Sequence, residues 1–147
     1  MSRLLFPVSK EEFEKAVTVR FNNINQAFNN FKYTMLENKT ENEFIQYISD
    51  AYDANGFENF YIDLYFNNID TENENKFLEM IIEEDKIIYE RLKLEYTMDT
   101  IYYRISKDLV PFITRLNTRE VLFSTIYLAK EKKTIWGNYG MKFPIFY

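Results

Sequence analysis

A chain of 147 residues, 18% of them aromatic and with only three glycines and three prolines, has the size of one domain and too much apolar surface to stay disordered. It holds no histidine and no cysteine, which removes imidazole bases, Ser-His-Asp triads, His- or Cys-ligated zinc, thiolate chemistry and disulfides. The net charge of −5 is unevenly spread: residues 1–114 carry 12 basic and 21 acidic side chains, residues 115–147 six basic and two acidic. An acidic body argues against nucleic acid, whose phosphates require basic surface, and favours encounter with a basic partner.

The chain opens MSRLLFPVSKEE, where a short apolar run is broken by Pro7. These residues do not read as a charged-then-apolar leader, and no run approaches the roughly 18 apolar residues of a membrane span, so the expected location is the cytoplasm. Ser9-Lys10-Glu11-Glu12 reads as a capping box, with Val8 and Phe13 placed as a hydrophobic staple. Apolar residues then recur at Phe13, Val17, Phe21, Ile24, Phe28, Phe31 and Met35, predicting one amphipathic helix of about 27 residues.

Thr40-Glu41-Asn42-Glu43 is a second capping box, opening a helix with Phe44, Ile48 and Ala51 inward and Gly56 as its stop. The short link at Asn38-Lys39 predicts an antiparallel helical hairpin at the N-terminus. Phe60, Ile62, Leu64 and Phe66 alternate with Tyr61, Asp63 and Tyr65, a strand with one face buried, which exits at Asn67-Asn68. Thr71-Glu72-Asn73-Glu74 repeats the residues of 40–43 and predicts the same capping chemistry, opening a helix through Phe77, Leu78, Ile81 and Ile82. Residues 86–96 fit both a continued helix, which puts Asp85 on its apolar face, and a strand of Ile88, Leu92, Leu94 and Tyr96.

Thr100 to Ile105 alternates as a strand, and a short helix follows with Pro111 in its first turn, Leu109, Phe112, Ile113 and Leu116 buried, and Asn117 at its close. Val121 to Leu128 is apolar on both faces and is expected in the middle of a sheet, turning at Lys130–Lys133 into a return strand from Thr134 to Tyr139. The pattern describes a single α+β domain over residues 1–147. Its expected form is an N-terminal helical hairpin and further helices packed on one face of a mostly antiparallel sheet of about four strands.

Three constellations carry chemistry. Glu83-Glu84-Asp85 offers a desolvated acid or a Mg²⁺ site, against the plainer reading of a solvated helix end; charge runs are usually surface, so no catalytic residue, metal or cofactor is assigned. Tyr61, Asp63 and Tyr65 on one strand face, with Tyr102 and Arg104 on another, would form an aromatic and charged partner-binding patch if both faces are outward and adjacent, and the charges argue for exposure since a covered face would not carry them. Trp136, Tyr139 and Lys142, with Arg115 and Arg119, interleave aromatics and cations as an anion-stacking ligand site would, unless the terminal aromatics close the core.

The leading functional expectation is a small acidic binding protein that neutralises or regulates a macromolecule through its basic surface, of the toxin-immunity or phage anti-defence kind. The alternative is a module that binds a nucleotide-like anion. A homodimer through an edge strand left by the C-terminal hairpin is a further expectation.

Overall fold

The computed structural model describes residues 2–147. Among these residues seven antiparallel strands form one sheet: β1 Leu5–Val8, β2 Tyr33–Leu36, β3 Phe60–Asp63, β4 Tyr102–Ile105, β5 Ile126–Leu128, β6 Lys133–Ile135 and β7 Phe143–Phe146. Their order across the sheet is β1-β4-β3-β5-β6-β7-β2, so β5 is central, as its two apolar faces predict. Among the described residues six α-helices accompany them: α1 Lys10–Ala16, α2 Ile24–Asn30, α3 Glu41–Asn55, α4 Thr71–Met80, α5 Glu83–Glu95 and α6 Val110–Thr118.

Both faces of the sheet are covered, not one. Phe60, Ile62, Tyr103, Ile105, Ile126, Leu128 and Ile135 point to a large core closed by Phe44 and Ile48 of α3, Tyr89 and Leu92 of α5, and Phe112 and Leu116 of α6. Their strand neighbours Tyr61 and Tyr127 point the other way, onto Val8, Phe13 and Val17. Beside them Phe146 meets Val19 and Ala27, with Trp136 and Phe31 against the same cluster. This alternation is the period-2 geometry of strands, read on two buried faces at once.

The expected helix of about 27 residues does not form, and with it goes the helical hairpin. The Ser9 hydroxyl accepts from the Glu12 amide at 3.0 Å and α1 starts as predicted, with Val8 and Phe13 both buried. It stops at Ala16, however, because Val17-Thr18-Val19 is a β-branched run that loses rotamer freedom in a helix. Asn23 then caps a separate helix by accepting from the Gln26 amide at 2.9 Å. The chain re-emerges as β2, so α3 follows a strand. The apolar spacing of Phe21, Ile24 and Phe31 persists because the linker, α2 and its exit all pack against Phe146 on one face of the sheet.

The Thr40 box is complete, with Thr40 Oγ1 accepting from the Glu43 amide and Glu43 Oε1 accepting from the Thr40 amide. Gly56 ends α3 at φ 81°, ψ 162°, a region that a side chain resists. The second TENE string is capped differently: Asp70 accepts from the Asn73 amide, which makes Thr71 the first helical residue instead of the cap. Residues 86–95 are helix, and Asp85 is indeed buried on its inner face. The strand expected over 121–128 is confined to Ile126–Leu128. Asn117 does not close α6: its amide is buried, donating to the Ser124 carbonyl at 2.9 Å and accepting from the Ser124 amide at 2.8 Å. Left-handed Glu120 (φ 55°) turns the chain there.

The return strand from β5 ends at Ile135, short of Tyr139, and the final residues supply β7. Pro144 is tolerated in an interior strand because it lies one residue beyond the end of β6, where its carbonyl accepts from the Trp136 amide at 2.9 Å. The β5–β6 hairpin therefore lies inside the sheet, and the free edges are β1 and β2.

Candidate functional site

On the sheet face under α1, β3 and β4 set Tyr61 opposite Arg104 and Asp63 opposite Tyr102. The strand register thus brings together four of the five residues expected to bind a partner, and Tyr65 reaches Asp63 Oδ2 at 3.5 Å. The patch is not exposed. Phe13 of α1 stacks on Tyr102 with ring centres 3.8 Å apart and meets Tyr61 and Tyr127 edge-on. Arg104 donates to Tyr61 Oη at 2.7 Å, the Glu58 carbonyl at 3.2 Å and Glu12 Oε1 at 3.1 Å, with its guanidinium 4.8 Å from the Tyr61 ring centre. The charges read as a sign of exposure are instead used within the layer that α1 closes.

Asp63 is the most perturbed group there. Its Oδ1 accepts from the Thr125 amide at 2.7 Å and its Oδ2 from Tyr127 Oη at 3.2 Å, and no cation touches it among the described residues. Burial pushes its carboxyl up to about 6, against the hydrogen bonds that favour the charged form. Burial, and then the nearby Asp63 charge, push the Tyr127 and Tyr65 hydroxyls up, so both remain donors.

Above this network lies a cleft of about 340 Å³ between α1, residues 17–23 and α2. Tyr102, Tyr127 and Phe13 form its floor, while Arg20, Gln26 and Asn30 stand at its rim. Lys10 is drawn to Glu14 at 3.8 Å, but Arg20 makes no ion pair or hydrogen bond among the described residues. An aromatic floor with one uncommitted cation suits a small polar or anionic ligand of the size such clefts hold. The sequence signal for this cleft was the break at Val17-Thr18-Val19 followed by Asn22-Asn23, hidden beneath apolar spacing that favoured a single helix.

The second expected constellation is not assembled. Arg115 donates through Nε and Nη2 to both oxygens of Asp85 at 2.8 Å, and Arg119 likewise to Glu41 at 3.0 and 2.9 Å. Trp136 sits across the sheet from those arginines, 5.7 Å from the Phe21 ring. Tyr139 is exposed and edge-on to Phe123, and Lys142 is exposed. Phe143 and Phe146 are core residues, as the plainer reading held. Of the acidic triplet, Glu83 and Glu84 are exposed, and no group of three or more acids able to hold a metal occurs among the described residues.

A surface that the sequence reading missed lies on α5. Asp85, Tyr89 and Leu92 face inward, which turns Ile87 and Leu94 outward at 74% and 89% exposure. Seven residues apart, they share one helix face with Glu83 and Glu90. Met98, just past the helix end, is also exposed. Residues 70–95 carry nine acidic and four basic side chains, so this region alone matches the net charge of the whole chain. The ambiguity of residues 86–96 between helix and strand concealed the stripe, because as a strand Leu94 would have pointed inward. No protein-family model matches the chain, and neither the curated proteins nor the solved structures contain a match. No helix among the described residues is long and apolar enough to cross a membrane.

Proposed function

We propose that this chain is a binding protein that acts in the cytoplasm, docks a basic, amphipathic protein surface on the outer face of α5, and has no catalytic role. The observation that carries this reading is the pair Ile87 and Leu94, two large aliphatic side chains at i and i+7, exposed within an acidic field. Single exposed apolar residues need no explanation. Two on one helical face, flanked by Glu83 and Glu90, have the anchor spacing and charge of a surface that receives a complementary groove or helix. Occupying a basic functional surface on another macromolecule is how an inhibitor of the toxin-immunity or anti-defence kind would work.

The test is affinity capture from the native host at low and high salt, with the wild-type chain and an Ile87→Ser/Leu94→Ser variant. A basic protein retained at low salt, weakened by salt and lost with the variant supports the reading. Capture of no protein at either salt, or equal capture by the variant, overturns it. Both positions are exposed, so the variant's melting temperature should match wild type.

The cleft over Tyr102 and Tyr127 favours a second reading, a site for a small anionic ligand held by Arg20. A thermal-shift screen of nucleotides and sugar phosphates tests it, since a ligand at 100 times its Kd adds about 2.7 kcal/mol of stability. A shift that Arg20→Ala abolishes supports the site; no shift across the screen removes it.

A further inference from the structure

The two edges of the sheet are treated in opposite ways. On β1, the Ser106 amide donates to the Leu4 carbonyl, so by strand alternation Phe6 and Val8 also bond inward to β4 while Leu5 and Pro7 face outward. Both outward positions are blunted. The Leu5 amide donates to Glu95 Oε1 at 2.8 Å, the Leu5 carbonyl accepts from Arg3, and Pro7 has no N–H to offer. An approaching strand finds no free donor there.

The β2 edge has none of these devices. Lys32 and Tyr147 exchange both backbone hydrogen bonds, at 3.1 and 3.0 Å. Alternation then directs Thr34 and Leu36 toward β7, and leaves the N–H and C=O groups of Tyr33 and Met35 pointing out of the sheet. The side chains of those two residues are 50% and 38% exposed, and half-exposed Phe28 meets Tyr33 edge-on at 4.9 Å. No charge or proline lies within Tyr33–Leu36; Lys32 and Glu37 stand just outside it.

We propose that β2 pairs antiparallel with β2 of a second copy of this chain, joining two seven-stranded sheets across a twofold axis at Thr34. The register follows from the hydrogen-bond parity. Outward-facing residues must meet outward-facing residues, so Tyr33 can lie opposite Tyr33, Met35 opposite Met35, or Tyr33 opposite Met35 of the second copy. Only the last uses the outward N–H and C=O groups of both residues on both chains with two apolar pairs. It sets Thr34 against Thr34 in a close, non-hydrogen-bonded pair and keeps Lys32 and Glu37 from facing their own kind. A Met35–Met35 register would place Glu37 opposite Tyr33. The edge is therefore complementary to itself, which is the requirement for a twofold interface.

Sedimentation equilibrium of the full chain across a concentration series tests this. The mass is expected to rise from 17.9 kDa toward twice that value. Tyr33→Glu/Met35→Glu sets like charges opposite one another and should weaken association by more than about tenfold. Tyr33→Lys/Met35→Glu sets opposite charges against each other in this register alone and should restore it. Circular dichroism confirms that both variants fold, as the exposure of the two side chains leads one to expect. A wild type that stays monomeric at every concentration, an acidic double variant that associates like wild type, or a mixed-charge variant that fails to recover each overturns the proposal.

Discussion

The pair Asp85–Arg115 joins the first turn of α5 to α6, and its removal gives the most direct measure of what holds α5 in place. Two bonds of 2.8 Å link the groups, with side-chain exposures of 2% and 15%. Breaking a fully buried pair by deleting one partner costs about 3–5 kcal/mol, chiefly from the stranded charge. In Asp85→Ala the stranded group is Arg115, which keeps some access to water and lies within the field of Glu41, so the cost falls to about 2–3 kcal/mol. Arg115→Ala leaves Asp85 almost fully buried without its cation and should cost the full amount, about 3–5 kcal/mol. For a domain of this size 2–3 kcal/mol lowers Tm by about 5–10 °C. Asp85→Leu/Arg115→Leu replaces both charges with apolar groups and should return to within about 1 kcal/mol of wild type. Urea unfolding followed by fluorescence of Trp136, the sole tryptophan, provides the assay, since Trp136 lies on the opposite sheet face and reports global unfolding. A cost below about 0.5 kcal/mol for Asp85→Ala, or a double variant as unstable as the two single ones combined, would refute the account.

Three further outcomes are expected. Asp63 has its carboxyl raised from 3.8 to about 6, so the folded state holds that proton longer than the unfolded one, and stability is lost as pH rises through this window by at most about 3 kcal/mol. Thermal melts of wild type should fall between about pH 4 and 6.5 on account of this group, while Asp63→Asn should flatten that fall; identical profiles would refute the assignment. Glu41, drawn down chiefly by the Arg119 hydrogen bond, works in the opposite sense, adding stability that is lost as pH falls below the ordinary carboxylate range, and Arg119→Ala should lessen that acid-side loss. Gly137→Ala would place a Cβ 2.5 Å from Asn117 Oδ1, whose bond to the Ser124 amide would be pushed aside, and should cost about 1–3 kcal/mol in the same urea assay.

Local chemistry was legible in the sequence wherever one residue sets one conformation. Ser9, Thr40 and Gly56 mark helix ends through bonds to their own neighbours, and the structure places those ends as read. The two apolar faces of Ile126–Leu128 likewise put β5 in the sheet centre. What was not legible depended on partners distant in the chain. The spacing of Phe21, Ile24, Phe28 and Phe31 serves a helix equally well whether it continues from α1 or restarts at Asn23, and only the sheet beneath decides. Period-2 alternation put Tyr61 with Asp63, and Tyr102 with Arg104, on one face of each strand, but that β3 and β4 are neighbours comes from their pairing across the sheet, and that the shared face is covered comes from α1 folding back upon it. Arg115 and Arg119 seemed uncommitted because their carboxylates, Asp85 and Glu41, lie 30 and 78 positions away.

The blunted β1 edge and the placement of α5 are one construction. Glu95, the last residue of α5, accepts the Leu4 and Leu5 amides and receives Arg91 at 3.1 Å, so the carboxylate that seals β1 also anchors the C-terminal end of α5 against the sheet. Asp85 anchors its N-terminal end to α6. A helix held at both ends cannot roll, and Ile87 and Leu94 are kept outward on the β1 side of the molecule. The β2 edge lies at the other end of the seven-strand order, about 28 Å away at the usual spacing between strands. Pairing through β2 would therefore leave both α5 faces free at the far ends of the joined sheet, able to engage two partner molecules or two sites on one. This predicts a separation of effects. Ile87→Ser/Leu94→Ser should abolish capture and leave the sedimentation mass unchanged. Tyr33→Glu/Met35→Glu should leave the affinity of each chain for a monovalent partner unchanged while lowering retention on a multivalent one. Loss of monovalent binding in the β2 variant would show that the two surfaces are not independent.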